Sequence, residues 1–175
     1  MLIKPQYYTV EEGRLYAGEY PGSLAPEVAH ERLQHLVDLG VRTFVDLTTP
    51  DDGLEPYSGA LHQLAEESGL SLRRIATPIT DMGVPRSPAV MREILDAVKG
   101  AIDQSPAVYI HCWGGIGRTG TVVGCWLRET GLGSEQALAQ VQHLYATHMP
   151  KVRFHPESPQ TPAQKNYVRN WKPLT

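Results

Sequence analysis

An α/β fold, with a central, mostly parallel sheet flanked by helices, is what this 175-residue sequence predicts. Three observations carry it. Short apolar runs at 14–18, 42–48, 72–79 and 107–112 read as strands, and amphipathic helical patterns separate them. Strand–helix alternation implies parallel pairing through crossovers, with helices covering both faces of the sheet. No internal repeat or low-complexity linker interrupts the pattern, so residues 1–175 are expected to form one domain with a sizeable core.

The elements follow in order. "RLYAG" (14–18) opens the sheet, and a helix follows in which Leu33, Leu36 and Val37 share a face. "RTFVDLT" (42–48) is the next strand, and Tyr57, Leu61, Leu64 and Ala65 mark the next helix. After the strand "LRRIATPI" (72–79), Ser87 and Pro88 stand as cap and first residue of a helix burying Met91, Ile94, Leu95 and Val98. "AVYIHC" (107–112) is the last strand. Helices at about 118–130 and 134–147 follow, punctuated by Gly131 and Gly133, the second presenting Leu138, Val141, Leu144 and Tyr145. The proline-punctuated tail ends in a short helix from Thr161. The core is therefore expected at about 13–147, with a helical tail at about 158–173.

Composition narrows the function. The formal charge of −3 and the lack of any lysine/arginine block argue against a nucleic-acid partner or a membrane surface. The start, "MLIKPQYYTV", lacks the apolar core of a signal peptide, and no later stretch is long enough to insert in a bilayer. Two cysteines make no disulfide scaffold, so a reducing cytoplasm is the expected compartment.

The informative stretch is "YIHCWGGIGRTG" (109–120). Its loop, Trp113, Gly114, Gly115, Ile116 and Gly117, joins the carboxyl end of a strand to the amino end of a helix. Unpaired N–H groups and the positive dipole end favour an anion there. The glycines let successive N–H groups point inward as a nest, and Arg118 offers a planar donor pair for two phosphate oxygens. The same field favours the thiolate of Cys112, the nucleophilic form of a cysteine. Thr119 can offer its hydroxyl to the sulfur and ease its later departure.

His111, Cys112, Gly115, Arg118 and Thr119 match H-C-x2-G-x2-R-[S/T], so the chain resembles the cysteine-dependent phosphatases of the protein tyrosine phosphatase superfamily. The compact dual-specificity-like group is the nearest resemblance, covering roughly residues 13–147. Cleavage by a thiolate leaves an oxygen that needs a proton. Asp81 lies just beyond the strand 72–79, and a right-handed crossover puts the Asp81 and Cys112 loops on one rim. The resemblance agrees: Asp81 and Pro85 fit the family's D-x-x-x-P-like acid loop. Asp46, ending another strand, is the competitor, ranked well below Asp81.

The resemblance implies attack by Cys112, phosphate held by the loop and Arg118, protonation by Asp81 and a phosphocysteine that water hydrolyses. It implies no metal and no cofactor, and it makes His111 a support for the loop rather than a base. Gln160 and Gln164 either orient that water, as glutamines do in some members, or are ordinary helix-surface residues. Cys125 reads as packed core, too far along its helix to bridge to Cys112. Sulfurtransferases, low-molecular-weight and large tyrosine-specific phosphatases fit the loop length, order or acid segment less well. A non-catalytic phosphate-binding module would have lost the cysteine, the arginine or the acid.

The expected partner is a phosphorylated protein, because the loop carries no lysine for a polyanionic headgroup. A phosphoinositide or other small phosphomonoester is the alternative, served by a basic rim of Arg73, Arg74, Arg86, Lys151 and Arg153. Trp113 either lines the pocket or packs behind the loop.

Overall fold

The computed structural model describes residues 3–174. Its five strands are β1 (Tyr7–Glu11), β2 (Leu15–Gly18), β3 (Val41–Asp46), β4 (Arg73–Ala76) and β5 (Ala107–His111). They lie in the order β1-β2-β5-β3-β4, parallel except for the β1/β2 hairpin. Six α-helices accompany them: α1 (Pro26–Asp38), α2 (Ser58–Ser68), α3 (Pro88–Gln104), α4 (Gly117–Glu129), α5 (Ser134–His148) and α6 (Pro162–Asn170).

The sequence dictates why β5 is central. All five of its residues are buried, and they alternate between two cores. Val108 and Ile110 join Met91, Ile94, Val122 and Val141 on one face. Ala107 and Tyr109 join Leu33, Leu36, Phe44 and Leu61 on the other. Helices α1 and α2 therefore cover one face, and α3 to α6 the other. Burying each large apolar side chain of α3 contributes about 1.5–3 kcal/mol, and Ser87 caps that helix as expected, accepting from the Val90 N–H at 3.4 Å.

This topology positions the site. The β2–α1–β3 connection runs over one face and the β4–α3–β5 connection over the other, with β5 between β2 and β3. A crevice opens at the carboxyl end of the strand where the winding reverses. Cys112 follows that strand directly.

Some expected boundaries shift. The run 72–79 is a strand only to Ala76, because Pro78 has no N–H to continue the ladder. Pairing still persists beyond it: Thr77 donates to the Asp46 carbonyl and Ile79 to that of Leu47. The run 42–48 likewise stops at Asp46. Strand β1 was not expected at all. "YYTVE" buries only Tyr8 fully, so no apolar run announces it. The tail is more than an appendage, because Val168 and Trp171 belong to the same core as α4. Among the described residues no helix is long and apolar enough to cross a membrane.

Candidate active site

The loop that follows Cys112 is shaped by its backbone. Gly115 has φ +74°, and a Cβ there would strike the Gly18–Glu19 backbone. Only glycine satisfies both demands. Helix α4 then starts without a side-chain cap, leaving its first N–H groups for an anion. Cys112 lies at the floor of a cleft of about 660 Å³ that Trp113, Gly117, Arg118, Asp81 and Gln160 also line.

Arg118 is almost wholly buried, with 2% exposure. Its Nη1 donates to Asp52 Oδ2 at 2.9 Å and to the Ile79 carbonyl at 3.1 Å, and its Nη2 to Asp52 Oδ1 at 3.3 Å. The same Nη2 lies 3.1 Å from Asp81 Oδ1. Burial opposes the guanidinium's charge. Bonding to Asp52 and the fields of Cys112, Asp52 and Asp81 outweigh it and hold Arg118 above its ordinary pKa.

Asp52 was missed by sequence reading. It ends the 3-10 turn Pro50–Asp52, where its Oδ2 also accepts from the Thr49 N–H at 2.8 Å. Removing one partner of a buried ion pair typically costs about 3–5 kcal/mol, because the other charge is left unpaired. Asp52→Asn is therefore expected to lower stability by about 3 kcal/mol and to raise KM more than it lowers kcat. Urea denaturation and steady-state kinetics check this, and an unchanged KM would remove Asp52 from the site.

His111 is fully buried. Its Nδ1–H donates to the Cys112 carbonyl at 3.1 Å, which leaves Nε2 to accept from the Tyr57 hydroxyl at 2.8 Å. The rings of Tyr20, Tyr57 and Tyr109 surround it. Burial lowers the imidazole's pKa against the opposing pull of Asp46 and the Cys112 carbonyl, with Arg74 and Arg118 adding to the lowering. Below about 6.5, the unfolded chain takes up a proton that the folded chain refuses, so stability is full above that pH and falls below it. The slope is up to about 1.4 kcal/mol per pH unit. Urea midpoints are expected to drop between about pH 7 and pH 5.5, and His111→Asn to flatten that drop.

Asp46 does not face the cleft. It is 1% exposed, and it accepts from the Thr48 N–H and hydroxyl and from Arg74 Nε at 2.7 Å. Burial alone would raise its pKa, but His111, Thr48 and Arg74 together lower it. The geometry makes Asp46 a tie between β3, β4 and β5.

Asp81 is about half exposed, at the tip of a turn closed by Gly83 N–H to the Thr80 carbonyl at 2.9 Å. The Gln164 carboxamide holds this loop. Its Nε2 donates to the Gly83 carbonyl at 3.1 Å, and its Oε1 accepts from the Gln160 and Thr161 N–H groups. Gln164 is thus fully buried rather than on a helix surface, and it is occupied in capping α6 and gripping the Asp81 turn. Gln160 lines the cleft.

Four further expectations turn on position. Trp113 lines the cleft and is 55% exposed. Thr119 Oγ1 is buried without a partner among the described residues, so the hydrogen bond expected from it to sulfur is not formed. Of the expected basic rim, only Lys151 lines the cleft, where Nζ bonds Glu19 and the Gly114 carbonyl. Arg73 and Arg74 are spent on Thr43 and Asp46, and Arg86 and Arg153 are not in the lining. Arg32 is there instead, 3.8 Å from Glu19. Cys125 is a free thiol in the core, its pKa driven up by burial.

Residues 19–132 fit the family model described as "Polymorphic toxin system, DSP-PTPase phosphatase". A protein named as a tyrosine phosphatase, 067L of Invertebrate iridescent virus 3, is 32% identical over 148 residues, or 81% of this chain. The chain spans 58% of that relative's length. Tk-PTP in its active form is 26% identical, with TM-score 0.70 over 95% of this chain and 96% of that one. PTPMT1 in complex with PI(5)P is 16% identical, with TM-score 0.68 over 95% and 94%, and shows likeness of fold alone. The match across 19–132, a range that holds Asp81 and the loop 112–118, places the chain in the DSP-PTPase phosphatase family of polymorphic toxin systems, within the protein tyrosine phosphatase superfamily.

Proposed function

We propose that this chain is a cysteine-dependent phosphomonoesterase whose substrate is a phosphorylated protein, phosphotyrosine first, with phosphoserine or phosphothreonine secondary. One observation carries the mechanism: Arg118, beside the Cys112 loop, forms an ion pair with the carboxylate of Asp81 across the cleft, with Nη2 and Oδ1 3.1 Å apart. The group that would bind phosphate and the group that would protonate the leaving oxygen already touch.

A phosphate dianion entering the nest displaces Asp81 from Arg118 and leaves its carboxyl free to face the leaving oxygen. The Cys112 thiolate attacks phosphorus in line; the S–P bond forms as the P–O ester bond breaks. The leaving oxygen takes the Asp81 proton, while Arg118 and the N–H groups of 113–118 hold the equatorial oxygens. Water, oriented by Gln160, then attacks the phosphocysteine and gives its proton to Asp81. The S–P bond breaks, and the unpartnered Thr119 hydroxyl is available to the departing thiolate. His111 fixes the Cys112 carbonyl and takes no part in proton transfer.

Support for a protein substrate is electrostatic. The loop carries no lysine, and the lining cations other than Arg118, namely Lys151 and Arg32, both face Glu19. A polyanionic headgroup would have to compete with Glu19 for both of them. Residues 1–175 are read as one phosphatase domain, and two free, buried cysteines suit a reducing cytoplasm. The test is kcat/KM on phosphotyrosine and phosphothreonine peptides, a short-chain phosphoinositide and a nucleotide, with Cys112→Ser as blank. The phosphotyrosine peptide is expected to lead. A lead for the lipid or nucleotide would overturn the substrate assignment and leave the chemistry standing.

A further inference from the structure

The described chain exposes few large apolar side chains, and three of them, Met82 (49%), Trp113 (55%) and Phe154 (80%), line the same cleft. They come from three separate segments: the acid loop, the phosphate-binding loop and the segment after α5. Scattered exposed apolar residues need no explanation, whereas several converging on one concave mouth mark a binding surface. Two of the segments are held in place by bonds within the site. Lys151 ties the Phe154 segment to Gly114 and Glu19, and Gln164 ties the Met82 loop to α6.

Met82 carries a second signal. It is the only non-glycine residue with positive φ (61°) among the described residues. It occupies the third position of the Thr80–Gly83 turn, where glycine or asparagine costs least. A methionine there is unfavourable twice over, strained in backbone and exposed in side chain. Stability does not explain it.

We infer that Met82, Trp113 and Phe154 form an apolar clasp that selects phosphopeptides with a large apolar residue adjoining the phosphorylated one. This rests on the phosphoprotein reading above and adds a sequence preference to it. The cleft, at about 660 Å³, holds more than one phosphorylated side chain, and its apolar mouth adjoins the phosphate nest through Trp113. The surroundings disfavour an anionic bilayer as the occupant. Besides Arg118, which Asp52 and Asp81 hold, the lining cations Arg32 and Lys151 share Glu19, and exposed Glu55 follows Leu54 in the chain.

The experiment compares two phosphotyrosine peptides that differ only beside the phosphotyrosine, leucine against aspartate, in the wild type, Met82→Asn and Phe154→Ser. Asparagine tolerates positive φ, so Met82→Asn removes the apolar side chain without burdening the turn. The wild type is expected to prefer the leucine peptide by about tenfold in kcat/KM, and each variant to cut that ratio at least about threefold. Thermal midpoints of the variants are expected to be unchanged or higher. Equal rates on both peptides, or ratios untouched by either variant, would overturn the clasp while leaving the phosphatase reading intact. Turnover of neither peptide would sink that reading and the clasp with it. Faster turnover of a phosphoinositide in phosphatidylserine-containing vesicles, lost in Phe154→Ser, would make the rim a membrane contact and refute the peptide assignment.

Discussion

Cys112→Ser is expected to abolish turnover, lowering kcat by at least about 10⁴-fold, while inorganic phosphate still binds. The two properties separate because different atoms supply them. In the proposed mechanism binding draws on the loop N–H groups, the start of α4, which has no side-chain cap, and Arg118, none of which the substitution removes. Attack draws on the sulfur alone, and a serine hydroxyl in the same place has no comparable fraction of anion at neutral pH. Phosphate-release kinetics together with phosphate binding by calorimetry read the two separately. Residual turnover near the wild-type rate would exclude the thiolate mechanism. Loss of phosphate binding would mean that the sulfur, not the nest, organises the loop.

The second large effect is at Asp81. Asp81→Asn keeps a side chain of the same shape against Arg118 but cannot give up a proton. Hydrolysis of phosphotyrosine and alkyl phosphates is expected to fall about 10²–10⁴-fold, the usual contribution of a positioned general acid. An aryl phosphate with a strongly acidic leaving group is expected to lose far less in the first step, because its oxygen departs without help. Equal losses on both substrates would move the acid elsewhere. Asp46 is poorly placed to replace it, being 1% exposed and bonded to Thr48 and Arg74. Asp52 is poorly placed too, since both of its oxygens are engaged by Arg118.

The parts of this site that the sequence made legible are those carried by local pattern. Cys112, the glycines and Arg118 sit within one strand–loop–helix stretch, so their spacing alone defines the nest. Asp81 was reachable because parallel strands bring their carboxyl ends to one rim. Asp52 was not, because its role is a contact with Arg118 across 66 positions, made in a short turn that breaks no pattern. A signal did exist. "TPDD" (49–52) and "TPAQ" (161–164) both read as capping boxes, with a hydrogen-bonding side chain three residues after the cap. In each, that side chain also reaches outward, Asp52 to Arg118 and Gln164 to Gly83. Strand β1 was hidden for a different reason: an edge strand with one fully buried residue has no apolar run to betray it. The basic rim failed because charge counted along the chain ignores pairing. Arg73 and Arg74 lie on the edge strand β4, bonded to Thr43 and Asp46, where charges also guard an open sheet edge.

The central claim is that phosphate passes through the Cys112 sulfur. Asp81→Asn, having no carboxylate to activate water, should accumulate the intermediate when given an aryl phosphate with a good leaving group. Rapid acid quench, proteolysis and mass spectrometry of the peptide containing Cys112 test this directly. A phosphocysteine at Cys112 that forms in a burst, decays with turnover and is absent from Cys112→Ser is the expected result. A burst without a phosphorylated peptide, or phosphate found on any other residue, would contradict the account.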